Sequence, residues 1–316
     1  MSGENRKAYW ALLAICIIWG TTFLAARIGV KAFPALLFMG TRHLIAGILL
    51  LAACLLRGSK RPGWQAFKAQ LLPGIFMVTL GNGIVGWAVK YIPSGLAALI
   101  CAMMPVYVVV INLFTKKGDK MNYKIALGLL LGLAGLLVIF RDNLSYLSNP
   151  QYLGGIFICL ISCLFWALGS IYSKEKQQQY TDVYVNVAMQ LIAGGGVLLL
   201  SSTLAEDWSG IHGVPVPTIL AISYLILFGS ITAFVCFHYA LSKLPVGVVT
   251  LYAYINPLVA MLLGFIILHE PLTVYTFIAF SLTLAGVFLV NAGYRQPVRK
   301  EHAATSSFSI KQPSYE

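Results

Sequence analysis

The few side chains in this 316-residue sequence that could do chemistry stand singly inside long apolar runs. Trp19-Gly20-Thr21-Thr22 combines an indole, a backbone open to close approach and two hydroxyls, and Trp166, Gly169 and Ser170 repeat the theme further on. Arg42 and His43 adjoin in the next run, and Asn82 sits among Gly81, Gly83 and Gly86. Pro105 has Tyr107 and Asn112 nearby, while Pro257 has Tyr252, Tyr254 and Asn256. Such groups stack on flat ligands and hydrogen-bond them; their competing use is helix packing. Catalytic sets are missing. His269-Glu270 is not part of an H-E-x-x-H motif, and there is no G-x-S-x-G elbow, no carboxylate pair and no Walker loop.

The elements that must position these residues are membrane helices. Hydrophobic residues make up 59% of the chain and charged ones 10%, with a mean hydropathy of +0.82, which a soluble fold could not cover. The first apolar stretch, following Glu4-Asn5-Arg6-Lys7, is too long for a signal-peptide core and lacks a cleavage pattern. All six cysteines lie in apolar runs and read as small hydrophobes, so neither a disulfide nor a metal site is expected. The net charge of +12 does not indicate nucleic acid, because the lysines and arginines form short clusters between apolar runs.

Ten spans are predicted, at 9–30, 34–56, 70–90, 95–114, 122–140, 152–174, 182–204, 217–241, 246–268 and 272–292. Arg6, Lys7, Arg57, Lys60, Arg61, Lys68, Lys174, Lys243 and Arg295 fall on one side of such a topology, while Asp142, Glu206 and Asp207 fall on the other. This asymmetry places both termini in the cytoplasm. Arg27 and Lys31 end the first span at the outer headgroups. Arg42 is different, being nine residues into its span, roughly 12 Å along the axis. An arginine near the bilayer centre costs about 2.5–3.5 kcal/mol on insertion scales, so it must face the bundle or water. It would hold a substrate carboxylate or act as a structural pin; the pin is the first reading, because the repeat counterpart is Met189.

That counterpart comes from an internal repeat. A shift of 147 places Trp19 on Trp166 and Leu44-Ile45-Ala46-Gly47 on Leu191-Ile192-Ala193-Gly194. A shift of 152 places Pro105 on Pro257, and a shift of 151 places Ala134-Gly135 on Ala285-Gly286. Each half has five spans, an odd number, so the second copy enters from the opposite face and the repeats are inverted. The expected organisation is a cytoplasmic N-terminus (1–7), a first repeat (8–140), an outer linker (141–151), a second repeat (152–292) and a disordered cytoplasmic tail (293–316).

Ile18-Trp19-Gly20-Thr21-Thr22-Phe23, Thr41-Arg42-His43-Leu44-Ile45-Ala46-Gly47, the run from Ile92 to Val108 and the run from Ile255 to Thr273, in two five-helix halves, resemble the EamA family of the drug/metabolite transporter superfamily. The resemblance implies an all-α polytopic protein that exports or exchanges small organic metabolites or toxic compounds. It also implies a bacterial inner-membrane location and a central cavity formed chiefly by spans 1, 3, 4, 6, 8 and 9, with spans 5 and 10 peripheral. On this reading Trp19, Thr21, Thr22, Arg42, Asn82, Pro105, Tyr107, Trp166, Ser170, Tyr252, Tyr254, Asn256 and Pro257 are candidates for the substrate pathway. No carboxylate falls near a span centre, which argues against a simple proton antiporter; His43, His238 and Glu270 are the candidates for coupling. The expected partners are a small-molecule substrate and the lipid bilayer, without a cofactor. Gly128, Gly132 and Gly135 with Ala285-Gly286 suit close helix packing or a homodimer contact.

Overall fold

The computed structural model describes residues 3–92, 94–115, 121–139, 141, 149–176, 182–211, 213–268 and 274–294. Among them the regular structure is entirely helical. In chain order the long elements are α1 (Gly3–Ala32), α2 (Ala35–Leu56), α3 (Trp64–Ala88), α4 (Ser94–Cys101 and Met104–Thr115), α5 (Tyr123–Ile139), α6 (Leu153–Lys176), α7 (Val183–Ala205), α8 (Val216–Lys243), α9 (Val246–Val249 and Tyr252–Leu268) and α10 (Val274–Tyr294). Seven runs are continuous, apolar and long enough to cross a bilayer; three shorter apolar helices fall in α4, α5 and α9. Hydrocarbon offers no partner to a backbone N–H or C=O, so each crossing must close its own hydrogen bonds.

Hydrogen bonds between helix ends join the ends that helices of alternating direction bring to one side. Lys243 at the end of α8 pairs with Glu4 at the start of α1 at 2.9 Å, and Tyr9 donates to Asn291 near the end of α10 at 2.8 Å. Asn122, ahead of α5, donates to the Gly293 carbonyl at 3.0 Å. At the opposite side Glu206, just past α7, accepts from the Leu36 and Leu37 amides at 3.0 Å each and so caps α2. A carboxylate on those otherwise unpaired amides also meets the positive end of the helix dipole. Ser202 and Trp208 hold the cap in place, Ser202 donating to Glu206 at 2.7 Å and Trp208 to Ser202 at 3.1 Å.

Two seams dominate the packing, α2 against α7 and α5 against α10. Both depend on glycine. A Cβ on Gly195 of α7 would lie 2.6 Å from the Leu44 amide nitrogen of α2, and one on Gly286 of α10 would lie 2.6 Å from the Gly128 carbonyl of α5. The glycines of α5 and α10 thus serve close helix packing inside the chain. Leu44-Ile45-Ala46-Gly47 and its repeat copy face each other across the first seam, where a Cβ on Gly47 would come within 2.8 Å of the Ile192 amide. The remaining large contacts pair α1 with α8 and α9, α6 with α3 and α4, and α3 with α7, so neither half packs by itself.

Two irregularities recur in both halves. α3 is π-helical over Gly74–Gly83 and α8 over Leu225–Thr232, a widening often found at functional sites. α4 breaks at Ala102–Met103 and α9 at Thr250–Leu251, each a short turn inside an apolar run. The prolines do not share this equivalence. Pro105 lies in the first turn of the second piece of α4, where its missing N–H costs nothing, whereas Pro257 lies inside the long piece of α9 and deprives the Ala253 carbonyl of its helical donor.

Gly286→Ala should lower the detergent-solubilised protein's unfolding midpoint by the equivalent of about 1–3 kcal/mol, the usual cost of overpacking. Its reference is Gly196→Ala, at a mid-helix glycine with nothing within 4 Å of the added atom, which should leave the midpoint unlowered or raise it slightly. Glu206→Ala should cost about 1–2 kcal/mol through loss of the α2 cap, read by the same melt.

Candidate functional site

A cavity of about 340 Å³ opens between the halves, within the roughly 300–1,000 Å³ range of small-molecule sites. α1 contributes Trp19, Gly20, Thr22 and Ala26; α2, Met39 and Arg42; α3, Gly81, Asn82, Gly86 and neighbouring valines. Cys101 and Met104 flank the break in α4, Ser162, Cys163 and Trp166 come from α6, and Tyr252, Ala253, Asn256 and Pro257 from α9. The hollow runs from Trp19 toward Ala26 and from Gly81 toward Val89, so its mouth lies where α1 and α3 end. Its walls differ from the expected set: α2 contributes directly, whereas α8 supplies no lining residue and stands behind the aromatic floor.

That floor is built on Trp19. Its ring centroid lies 5.4 Å from Trp166, 4.7 Å from Tyr252, 5.7 Å from Phe234 and 5.5 Å from Phe237. The Trp166 contact is edge-on at 80°, and such aromatic pairs add about 0.5–1.5 kcal/mol each beyond their buried area. Phe234 and Phe237 are fully buried and close the closed end of the hollow.

The polar end is built on Arg42, which is 3% exposed. Its guanidinium donates to Asn82 Oδ1 of α3 and to His43 Nε2, from Nε at 3.2 Å and from a terminal nitrogen at 3.0 Å. With Nε2 accepting, the histidine carries its proton on Nδ1, which faces Ser230 Oγ of α8 at 3.3 Å. Arg42 and His43 thus tie α2 to both π-helical segments, because a shift of 148 superposes Gly81-Asn82 on Gly229-Ser230. The carbonyls of the same two glycines are also used: Gly229 accepts from Trp19 Nε1 at 3.1 Å, and Gly81 accepts from Ser162 Oγ.

Eight of the sequence-derived candidates, Trp19, Thr22, Arg42, Asn82, Trp166, Tyr252, Asn256 and Pro257, line this one cavity. The other five do not. Thr21 bonds the Ile18 carbonyl at 2.7 Å and Tyr224 of α8, away from the hollow. Ser170 is spent on the Trp166 carbonyl at 2.7 Å, Tyr254 is buried against α5 with its hydroxyl 3.4 Å from the Leu129 carbonyl, and Pro105 and Tyr107 lie outside the lining. Gly20 serves packing as well as lining, since a Cβ there would meet the Asn256 carbonyl of α9 at 3.1 Å. The Asn256 amide nitrogen, oriented by its hydrogen bonds, donates to the Cys16 carbonyl at 3.0 Å and to Tyr252 at 2.9 Å.

Among the coupling candidates, His43 supports Arg42, His238 is buried 3.4 Å from Ser173 Oγ, and Glu270 lies outside the described residues. Ser173 also accepts from Gln190 at 3.2 Å, and Gln190 donates to Gln70 at 2.7 Å, forming a second buried network toward the opposite side of the molecule. Span-by-span reading also missed that three cysteines converge, with Cys101 of α4 beside Cys159 and Cys163 of α6 and the Cys163 thiol 3.6 Å from the Ile100 carbonyl. No metal-holding group of three His, Cys, Asp or Glu side chains forms among the described residues.

A polytopic helical bundle with a largely apolar cavity shared by both halves has the form of a membrane transporter of small molecules. The chain belongs to the EamA-like transporter family, which it matches over residues 6–141 and again over 153–292. It is 36% identical to the uncharacterized inner membrane transporter YedA of Escherichia coli strain K12, across 90% of each chain. It is 26% identical to a probable terminal-alkyne amino-acid exporter of Streptantibioticus cattleyicolor, across 95% of this chain and 97% of the relative. A crystal structure 22% identical to it superposes with a TM-score of 0.75, covering 91% of this chain and 97% of that one.

In a variant whose other five cysteines are replaced, Cys101 should react with a hydrophilic thiosulfonate added from the cavity-mouth side. Cys159 introduced singly should not, because it is fully buried; mass spectrometry of the labelled protein reads both.

Proposed function

We propose that this chain is a secondary carrier that exports or exchanges small amphipathic metabolites by alternating access, with its cavity facing outward in the described state. The observation that carries the reading is a largely apolar cavity shared by both halves, with Trp19 and its repeat copy Trp166 meeting in its wall at 5.4 Å. With the termini cytoplasmic, as the positive-inside bias requires, the mouth at the ends of α1 and α3 lies on the outer face. The two five-helix halves, 8–140 and 152–292, then act as inverted repeats in the inner membrane. Exchanging their conformations would close this mouth and open the other.

The cytoplasmic side is sealed by the aromatic floor, by the Gln70–Gln190–Ser173–His238 network and by Lys174, which donates to the Leu244 carbonyl between α8 and α9. Gln70 Nε2 and Gln190 Oε1 are buried without partners. A buried polar network left partly unsatisfied stabilises its closed arrangement only weakly, which suits a gate that must open. The amino-acid exporter among the relatives makes amino acids and related compounds the first substrates to test.

Reconstituted into liposomes, the protein should carry at least one member of an amino-acid, organic-acid, nucleobase and dye panel. Trp19→Ala should cut that flux at least tenfold while membrane insertion stays at the wild-type level. Wild-type flux in the variant would remove the cavity from the pathway, and an inert wild-type protein across the whole panel would remove the carrier reading.

A further inference from the structure

Resting on that carrier reading, the geometry points to an anion subsite at Arg42, Asn82 and Trp166 that takes the carboxylate of a small organic monocarboxylate, whose apolar body lies against Trp19 and Tyr252. Arg42 is almost wholly buried, yet its partners, His43 and the Asn82 side-chain oxygen, are neutral. No aspartate or glutamate is among the residues lining the cavity. Nε and one terminal nitrogen of the guanidinium are spent on His43 and Asn82, which leaves the other terminal nitrogen with two N–H donors for a carboxylate that also cancels the charge. Because Asn82 turns its oxygen to Arg42, its amide –NH₂ is left as a further donor on the same wall.

Trp166 supplies the second, independent observation. The two repeat-related tryptophans are each about nine-tenths buried or more, but only one is satisfied: Trp19 Nε1 donates to the Gly229 carbonyl, whereas Trp166 Nε1 has no acceptor. The equivalent acceptor for Trp166 is the Gly81 carbonyl, and Ser162, one turn earlier on α6, already occupies it. The Trp166 ring packs on Gly81, where an added Cβ would lie 2.9 Å from it, and Gly81 adjoins Asn82. A buried indole N–H with no acceptor among the described residues and a guanidinium with only neutral partners therefore belong to the wall of one cavity. One guanidinium with neutral donors balances one negative charge, so a monocarboxylate fits and a phosphate dianion does not.

The test uses the purified full chain and calorimetric binding of aliphatic and aromatic monocarboxylates, each against its own primary amide, with phenyl phosphate as the dianion. At least one acid should bind tenfold or more tighter than its amide and also tighter than phenyl phosphate. Trp166→Phe should remove most of that preference and lower the melting temperature less than Trp19→Phe does, since both lose buried ring volume but only Trp19 loses a hydrogen bond. Trp19→Phe should lower the melting temperature further and weaken acid and amide alike, so that their ratio is kept. Arg42→Gln should abolish it.

Acids and amides binding alike, no acid binding at all, phenyl phosphate binding tightest, or a preference indifferent to Trp166→Phe would each overturn the subsite. Flux of the same pairs separates the two readings. Amides carried as fast as acids would sink the subsite and leave the carrier standing, whereas acids bound selectively but never carried would do the reverse.

Discussion

A positive charge held at 3% exposure within the membrane has to be compensated by groups the protein itself supplies, and the centre of this molecule is organised around meeting that demand for Arg42. The guanidinium reaches Asn82 on α3 and His43 beside it, and His43 reaches Ser230 on α8. Asn82 and Ser230 occupy matching places in the two halves. One dipeptide of α2 therefore joins both π-helical segments, and the extra width of those segments presents Gly81 and Gly229 carbonyls to side chains from α6 and α1. Cavity wall, helix register and contact between the halves follow from the same set of bonds.

The two halves share an architecture but not its details, and the differences gather at the cavity. Matching breaks interrupt α4 and α9, and matching indoles approach each other from α1 and α6. Arg42 has no charged counterpart, because the repeat position is Met189. Likewise Ser162 takes the carbonyl that Trp166 would need, so one indole is satisfied and its copy is not. Symmetric scaffolding with asymmetric polar groups is what a carrier requires if both its states are to be accessible while its ligand binds in one orientation.

Much of this was legible along the chain. Apolar runs of bilayer length, broken by short basic clusters, specify helices that cross and alternate, because unpaired backbone in hydrocarbon is too costly for anything else. The offset series specified a duplication, and the depth of Arg42 in its span marked it as needing internal partners. The same reasoning could not separate Thr21 from Thr22, because adjacent residues on a helix differ by about 100° in facing and only the packed partner decides which one meets the cavity; nor could it tell that Ser170, one turn beyond Trp166 on the same face, bonds back to the Trp166 carbonyl. It also treated Pro105 and Pro257 as equivalent, although the break in α4 puts the first into a helix start and leaves the second inside a helix.

By itself, then, the sequence determined that this is a duplicated bundle of membrane helices with scattered polar groups suited to binding, since hydropathy, charge placement and periodicity act locally along the chain. Only the tertiary structure decided that Arg42 lines the cavity while His43 supports it, that α8 stands behind the site, that the glycines of α5 and α10 close on each other, and that three cysteines from two helices meet. Those outcomes depend on which faces of distant helices are in contact. Close packing sets those faces through contacts hundreds of residues apart, and no local pattern records them.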